Sequence, residues 1–95
     1  MAQFIGKLIG ILPVVTGENA RGAWCRGGIV VMPQDEYSKP AKFTACSQQK
    51  LDLISPLQIG SVVIVEFKPE SREINGNWYT DLMIQRISVA QKVGG

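Results

Sequence analysis

The chain from residue 62 to residue 89 has the sequence VVIVEFKPESREINGNWYTDLMIQRISV. Two apolar runs, Val62 to Glu73 and Trp78 to Val89, flank the pair Asn75-Gly76. This pair favours a type I′ turn, because both turn positions need a positive φ. The segment therefore predicts a long β-hairpin with a two-residue turn, in which Phe67 lies opposite Ile84.

The same register cannot continue unbroken to the far ends of the two strands. It would set the apolar Val65 against Arg86, whereas a one-residue bulge near Gln85 and Arg86 restores Ile87 and Val89 to the core beside Val65 and Val63. We therefore predict a bulge there. The opposed residues are expected to be Arg72 with Tyr79, Pro69 with Leu82, Val65 with Ile87 and Val63 with Val89.

A first strand is expected near the start of the chain, over about Gln3–Leu12, and Pro13 is expected to help end it. Residues 16–22 are small, polar and glycine-rich, which predicts an exposed loop. Both faces of this first strand are apolar, as in a strand shared between two sheets. Alternation places Ile5, Ile9 and Ile11 on one side and Phe4, Leu8 and Leu12 on the other.

Second and third strands are expected over about Ala23–Met32 and Ala41–Cys46. The pair Gly27-Gly28 would weaken the second strand unless it marks a bulge or bend. Alternation predicts Cys25, Ile29, Val31, Phe43 and Ala45 facing inward, and Trp24, Arg26, Val30, Met32, Lys42, Thr44 and Cys46 facing outward.

One short helix is predicted after the third strand. Ser47 suits its N-cap, Leu51 and Ile54 share one face, and Ser55-Pro56 stops it. Three strands, a helix and two strands form the order of elements of the five-stranded OB (oligonucleotide/oligosaccharide-binding) barrel. We therefore predict one all-β OB-fold domain over residues 1–95, with the barrel at about 3–89 and a tail over 90–95.

The composition sets limits on the chemistry. The 95 residues are 45% hydrophobic and 19% charged with a net charge of +2, which is ordinary for a folded domain. There is no histidine and there are two cysteines, so both thiols are expected to be free, and Cys25 is expected to be a small buried residue. Asp35-Glu36 is expected in a solvated turn. We expect no catalysis, cofactor or metal, and the lack of a leader or long apolar run predicts a cytoplasmic protein.

Outward-facing aromatic and cationic side chains are the candidate binding residues. Trp24 and Arg26 are predicted to project together, with Lys42 on the same surface, where OB folds stack bases and contact phosphates. The alternative is that Trp24 packs under a loop or within an oligomer interface. About three phosphate contacts per protomer would give a slope near −2 for log K against log salt.

The tip of the hairpin supplies a second candidate group. Arg72 and Tyr79 are cross-strand neighbours that could present one surface to a nucleotide, or could stack on each other while Arg72 pairs with Glu70 or Glu73. Trp78 has the parity of Leu82 and Ile84, which predicts partial burial at the barrel mouth. Alternation places Asp81 on the outward face of its strand with Tyr79, where a positively charged partner would suit it.

The segment Ser71-Arg72-Glu73-Ile74-Asn75-Gly76-Asn77-Trp78-Tyr79-Thr80-Asp81, preceded by Phe67, resembles a family of short bacterial OB-fold proteins. That family is catalogued as a domain of unknown function and described as similar to single-stranded DNA-binding proteins. Gly6-Lys7-Leu8-Ile9, Leu12-Pro13, Trp24-Cys25-Arg26, Phe43 and Ile59-Gly60 extend the likeness from about Phe4 to Val89. The resemblance implies an OB fold that binds single-stranded DNA, without catalysis or cofactor.

The leading hypothesis is a sequence-tolerant protein that binds single-stranded nucleic acid, DNA before RNA, as a homodimer or homotetramer. Its candidate residues are Trp24, Arg26, Lys42, Arg72, Tyr79 and Trp78. The rival hypothesis is an assembly module, in which the same hairpin and Trp24 mediate homo-oligomer or protein contacts.

Overall fold

Five strands and one helix follow one another in the computed structural model, which describes residues 2–34 and 39–91. They are β1 (Ala2–Asn19), β2 (Gly22–Pro33), β3 (Ala41–Ala45), α1 (Gln48–Ile54), β4 (Val62–Ile74) and β5 (Asn77–Gln91). The strands close into a barrel in the order β1-β2-β3-β5-β4. This confirms the predicted five-stranded OB fold with its helix between the third and fourth strands. The expected turn at Asp35-Glu36 and the end of the expected tail, from residue 92, lie outside the described residues.

The β4–β5 hairpin has the predicted turn and register. Asn75 and Gly76 have φ of 52° and 84°, as a type I′ turn requires. Phe67 lies opposite Ile84, while Glu66 lies opposite Arg86, so Gln85 is the extra residue of the predicted bulge. The other predicted pairs are also observed: Arg72 with Tyr79, Pro69 with Leu82, Val65 with Ile87, and Val63 with Val89.

The prediction that Val89 enters the core is wrong. It lies opposite the buried Val63, yet it is 43% exposed. A second register shift follows between Val62 and Val63, and the bridge from β5 to β3 lies far back at Met83. Val89 instead lines a surface pocket with Pro56, Leu57, Gln58 and Ser61, so it stays partly open to solvent.

β1 is longer than predicted, and the expected loop over residues 16–22 is wrong. The strand continues past Pro13 to Asn19, because a register shift between Leu12 and Val15 accommodates the proline without a ladder hydrogen bond. Residues 16–19 pair with residues 22–25, which leaves Ala20 and Arg21 as the turn. The side chain of Asn19 accepts a hydrogen bond of 2.8 Å from the Arg21 amide, as in an Asx turn.

The prediction that β1 is shared between two sheets holds for its first half. Residues 2–7 pair with β4, and β1 also pairs with β2. The expected separation of the three isoleucines onto one side does not hold, because a shift between Leu8 and Gly10 brings Ile11 opposite the buried Ile29. Ile5, Ile9 and Ile11 are nevertheless all exposed, together with Val14 and Val15.

The core lies inside the barrel and is closed at one end by α1. Ser47 caps the helix by accepting a hydrogen bond of 3.2 Å from the Lys50 amide, as predicted. Leu51 packs into the barrel over Gly27, where an added Cβ would lie 2.7 Å from a Leu51 methyl carbon. The buried apolar residues are Leu8, Ile29, Val31, Phe43, Ala45, Leu51, Ile54, Val63, Val65 and Ile84.

The predicted faces of β2 and β3 hold except at Thr44. Ile29, Val31, Phe43 and Ala45 are buried as expected, and Cys25 is partly buried against the core. Thr44 has the outward parity but is only 2% exposed. It lies between Gly28 of β2 and Met83 of β5, at the contact that closes the barrel. Within the described ranges, no helix has the length and apolar character needed to cross a bilayer.

Candidate functional site

Two hairpin arms extend from the barrel and carry most of the candidate residues. We call residues 16–24 the β1–β2 arm and residues 70–81 the β4–β5 arm. Nearly every residue of both arms is exposed. The molecule measures 47 × 28 × 22 Å along its principal axes, so it is elongated for a small barrel. In OB folds, the connections between strands 1 and 2 and between strands 4 and 5 border the ligand-binding face.

Trp24 lies flat on the β1–β2 arm. It is paired with Gly17 of β1, and a Cβ added at Gly17 would lie 2.5 Å from Cζ2 of the indole. The ring therefore occupies the space that any other side chain at position 17 would need. Trp24 remains 41% exposed, so one side of the indole is covered by the arm while the other surface is open.

A groove runs from Trp24 to the β4–β5 arm. Its deeper half has a volume of about 280 Å³, and its other half includes the exposed side of Trp24. Arg26 and Cys46 line both halves, so the surface is continuous from one arm to the other. Trp24, Arg26 and Arg72 thus face one groove. The deeper half is lined by Arg26, Cys46, Glu70, Ser71, Arg72, Asp81 and Met83.

Arg26 makes an ion pair across this groove. Its guanidinium donates a hydrogen bond of 3.1 Å to Oδ1 of Asp81. β3 lies between β2 and β5, but it ends at Ala45, opposite Gly27. Beyond that point no described strand separates β2 from β5, so Arg26 can reach the β4–β5 arm.

The groove has balanced charges. Glu70 and Asp81 lie directly opposite each other in the β4–β5 ladder, an arrangement that is unfavourable for two acids. Arg26 bonds to one of them, and Arg72 lines the same groove. The lining therefore contains two cations and two acids. Asp81 has the positively charged partner that its parity suggested.

Arg72 and Tyr79 are directly opposed and exposed, as predicted. The alternative ion pair of Arg72 with Glu70 or Glu73 is not observed among the described residues, whose ion pairs are Arg26–Asp81 and Arg86–Glu66. Arg72 lines the groove together with Glu70, without an ion pair between them.

Two candidate residues lie apart from the groove. Lys42 is exposed but pairs with Val30, four residues along β2 from Arg26, or about 13 Å at roughly 3.3 Å per residue of a strand. Trp78 pairs with Glu73, so it lies on the opposite face of the β4–β5 arm from Tyr79. The prediction that Trp78 is partly buried is wrong. It is 69% exposed, because the arm extends beyond the barrel mouth.

Three features of the groove were not predicted. Cys46 joins its two halves, Asp81 pairs with Arg26 in particular, and Gly17 supports Trp24. The sequence would have revealed the contact between Gly17 and Trp24 if residues 16–19 had been recognised as a strand that pairs with β2. Cys25 and Cys46 are both free thiols, as expected. Across residues 2–34 and 39–91, no cluster of three or more Cys, Asp or Glu side chains is placed to hold a metal ion.

A closed five-stranded barrel with one helix after β3, and with a groove between its first and last hairpins, defines an OB-fold protein. The chain belongs to the family named Domain of unknown function (DUF3127), which it matches over residues 3–88. This confirms the resemblance found in the sequence. No curated protein matches the chain.

Solved structures with the same fold share little sequence with this chain. The mitochondrial single-stranded DNA-binding protein Rim1 from S. cerevisiae is similar with a TM-score of 0.65 and 13% identity, over 96% of this chain and 95% of that one. The N-terminal domain of PriB from Thermoanaerobacter tencongensis, described as dimeric, is similar with a TM-score of 0.55 and 17% identity, over 96% of both chains.

Proposed function

We propose that this protein binds single-stranded nucleic acid, DNA in the first place, in the groove between its two arms. The observation that carries the proposal is the open side of Trp24, which continues into a surface lined by Arg26 and Arg72. An exposed ring beside cations is the combination that holds a single strand without reading its sequence. Binding, rather than catalysis, is the role we assign to the groove.

Trp24 is the proposed stacking residue. The indole already lies against the backbone of β1 at Gly17, so it cannot move closer to that strand. A ring already fixed in place loses little conformational entropy when a base stacks on it. Stacking on such a ring contributes about 1–3 kcal/mol per base, and it tolerates every base because each has a π-face.

Arg26 and Arg72 are the proposed phosphate contacts inside the groove, and Tyr79 is proposed to extend the contact surface along the β4–β5 arm. Lys42 and Trp78 would touch a strand only where it leaves the groove, around the barrel or over the far face of the arm. With few phosphate contacts, one protomer binds weakly. Several sites acting on one strand would raise the overall affinity.

The test is a titration with oligo-dT, followed by tryptophan fluorescence and by the anisotropy of a labelled strand. We expect quenching and an anisotropy rise at micromolar strand, with both weakening as salt increases. The slope of log K against log salt should lie between about −1 and −2, at roughly −0.7 per phosphate contact. A duplex of the same length is the matched control and should bind more weakly, because its bases cannot stack on Trp24. Unchanged fluorescence and anisotropy at micromolar strand would reject the proposal.

We further propose that the chain acts as a homodimer or homotetramer. The observation that supports this is the exposure of several apolar side chains of β1, among them Ile5 and Ile9. Large exposed apolar patches mark association surfaces. The PriB domain that shares this fold is described as dimeric. Light scattering should give a mass of two or four chains, and Ile5→Lys should lower it. A monomeric mass for the unaltered chain would leave each groove to act alone.

A further inference from the structure

Arg26 is a cation that the groove could offer to a phosphate, but its guanidinium is already paired with the carboxylate of Asp81. We propose that Asp81 is an internal competitor of the nucleic-acid backbone, and that it limits the affinity of the groove. This inference rests on the proposed function, because it concerns the strength of the same site.

The geometry of the pair supports competition rather than simple support of the arm. One nitrogen of Arg26 contacts one oxygen of Asp81 at 3.1 Å. A guanidinium has five N–H donors, so this single contact leaves donors free for a second acceptor. The two side chains are 38% and 23% exposed. A solvent-accessible pair held by one contact is weak and exchanges partners readily.

The charges around the pair make it an obstacle to phosphate. Asp81 and Glu70 are opposed across the ladder, and both line the groove beside Arg26 and Arg72. A phosphate that approaches Arg26 therefore meets two carboxylates as well as two cations. Removal of the Asp81 charge leaves Arg26 unpaired and gives the groove a net positive charge.

A structural role for Asp81 predicts the opposite result. If the carboxylate mainly holds Arg26 in position, its loss should weaken binding. If it competes with phosphate, its loss should strengthen binding. The sign of the change in affinity therefore distinguishes the two roles.

The experiment compares Asp81→Asn with the unaltered chain in binding to oligo-dT. Thymine has no exocyclic amino group, so its N3–H is the base donor that could bond to Asp81. Loss of such a bond would weaken the binding of Asp81→Asn, which is opposite in sign to the effect of competition. We expect Asp81→Asn to bind about three- to fivefold more tightly, the gain that release of one solvent-accessible ion pair allows. Its slope of log K against log salt should be steeper by up to about 0.7, the value for one phosphate contact on a single strand, because Asp81 no longer competes for Arg26.

Glu70→Gln is the matched control. It removes the same charge from the same cross-strand pair, but it leaves the contact of Arg26 with Asp81 in place. We expect a smaller gain and an unchanged salt slope. The gain of Asp81→Asn should also vanish in an Arg26→Gln background, because no released cation remains. Equal melting temperatures would show that the variants fold alike.

The outcomes separate this inference from the function on which it rests. If the unaltered chain binds oligo-dT and Asp81→Asn binds equally or less tightly, the competition is rejected and the proposed function stands. An equal gain in Glu70→Gln would also reject it, since the effect would then be one of total charge. If neither the chain nor Asp81→Asn binds, both proposals fail.

Discussion

The two arms have the same hairpin topology and differ in what their side chains do. Each is an antiparallel hairpin with a two-residue turn, at Ala20–Arg21 in one and Asn75–Gly76 in the other. In the β1–β2 arm, the one tryptophan lies on a glycine across the ladder. In the β4–β5 arm, Trp78 and Tyr79 are consecutive and therefore point to opposite faces.

This difference shows that the more exposed aromatic ring need not be the one better placed to stack on a base. Trp78 is the more exposed tryptophan, at 69% against 41% for Trp24. Its neighbour across the ladder is Glu73, whereas that of Trp24 is Gly17. Trp24 is thus supported on one face and directed at the groove, while Trp78 is solvated on the far side of its arm. We expect the supported ring to contribute the greater share of binding energy.

The largest expected effect comes from removal of each tryptophan in turn. Trp24→Ala should weaken oligo-dT binding by about 1–3 kcal/mol, the contribution of one stacked base. Trp78→Ala should weaken it by less than about 0.5 kcal/mol, as is usual for residues outside the centre of a contact surface. Fluorescence anisotropy with a labelled strand measures both changes, and light scattering checks that the oligomer is retained. An equal or larger loss in Trp78→Ala would place the strand on the opposite face of the β4–β5 arm.

A smaller effect is expected when Trp24 is kept but its support is changed. Gly17→Val places a Cβ 2.5 Å from the indole, so the ring must lift or rotate. Valine favours strands, so the arm itself should remain paired. We expect a loss of about 1 kcal/mol in binding, at the lower end of the loss from removal of a stacked base, and a changed emission maximum for Trp24.

Gly10→Ala is the matched control for that variant. Gly10 is also in β1, but an added Cβ there makes an ordinary contact of 3.6 Å with Cβ of Val30. Binding and emission should be unchanged. If Gly17→Val binds as tightly as the unaltered chain, the position of the indole is not set by Gly17.

The sequence predicted those features of the arms that depend on local chemistry. Asn75-Gly76 determined the turn and, with the apolar alternation, the register of β4 and β5. The length of β1 was missed, because Pro13 and the small, polar residues 16–22 are typical of a strand end and a loop. A bulge absorbs the proline, and only the pairing with β2 reveals this.

The candidate site was predicted less fully than the fold, for a physical reason. Alternation gives the side of the sheet on which a residue lies, and this placed Trp24 and Arg26 correctly on one face. It does not give the distance by which a hairpin extends beyond the core, so the exposure of Trp78 was missed. The pairing of Arg26 with Asp81 depends on the early end of β3, which sets two distant strands side by side.

The smallest expected effect concerns how the β4–β5 arm is held together. Ser71 and Thr80 are opposed, and their hydroxyl oxygens are 2.8 Å apart in a hydrogen bond. We expect Thr80→Val to lower the free energy of unfolding by about 0.5 kcal/mol, within the usual contribution of a cross-strand pair. Urea denaturation measures this change. Oligo-dT binding should be unchanged, because Thr80 has the parity of Trp78 and lies on the face away from Arg72 and Tyr79.

A double-mutant cycle with Ser71→Ala isolates the hydroxyl pair. If the hydrogen bond is the cause, the two substitutions together should cost little more than either alone. Valine fills the volume of threonine and suits a strand, so Thr80→Val tests the hydrogen bond with little change in packing. A loss of binding in Thr80→Val would therefore mean that the stiffness of this arm, and not only the ring fixed on the other arm, controls how a strand is held.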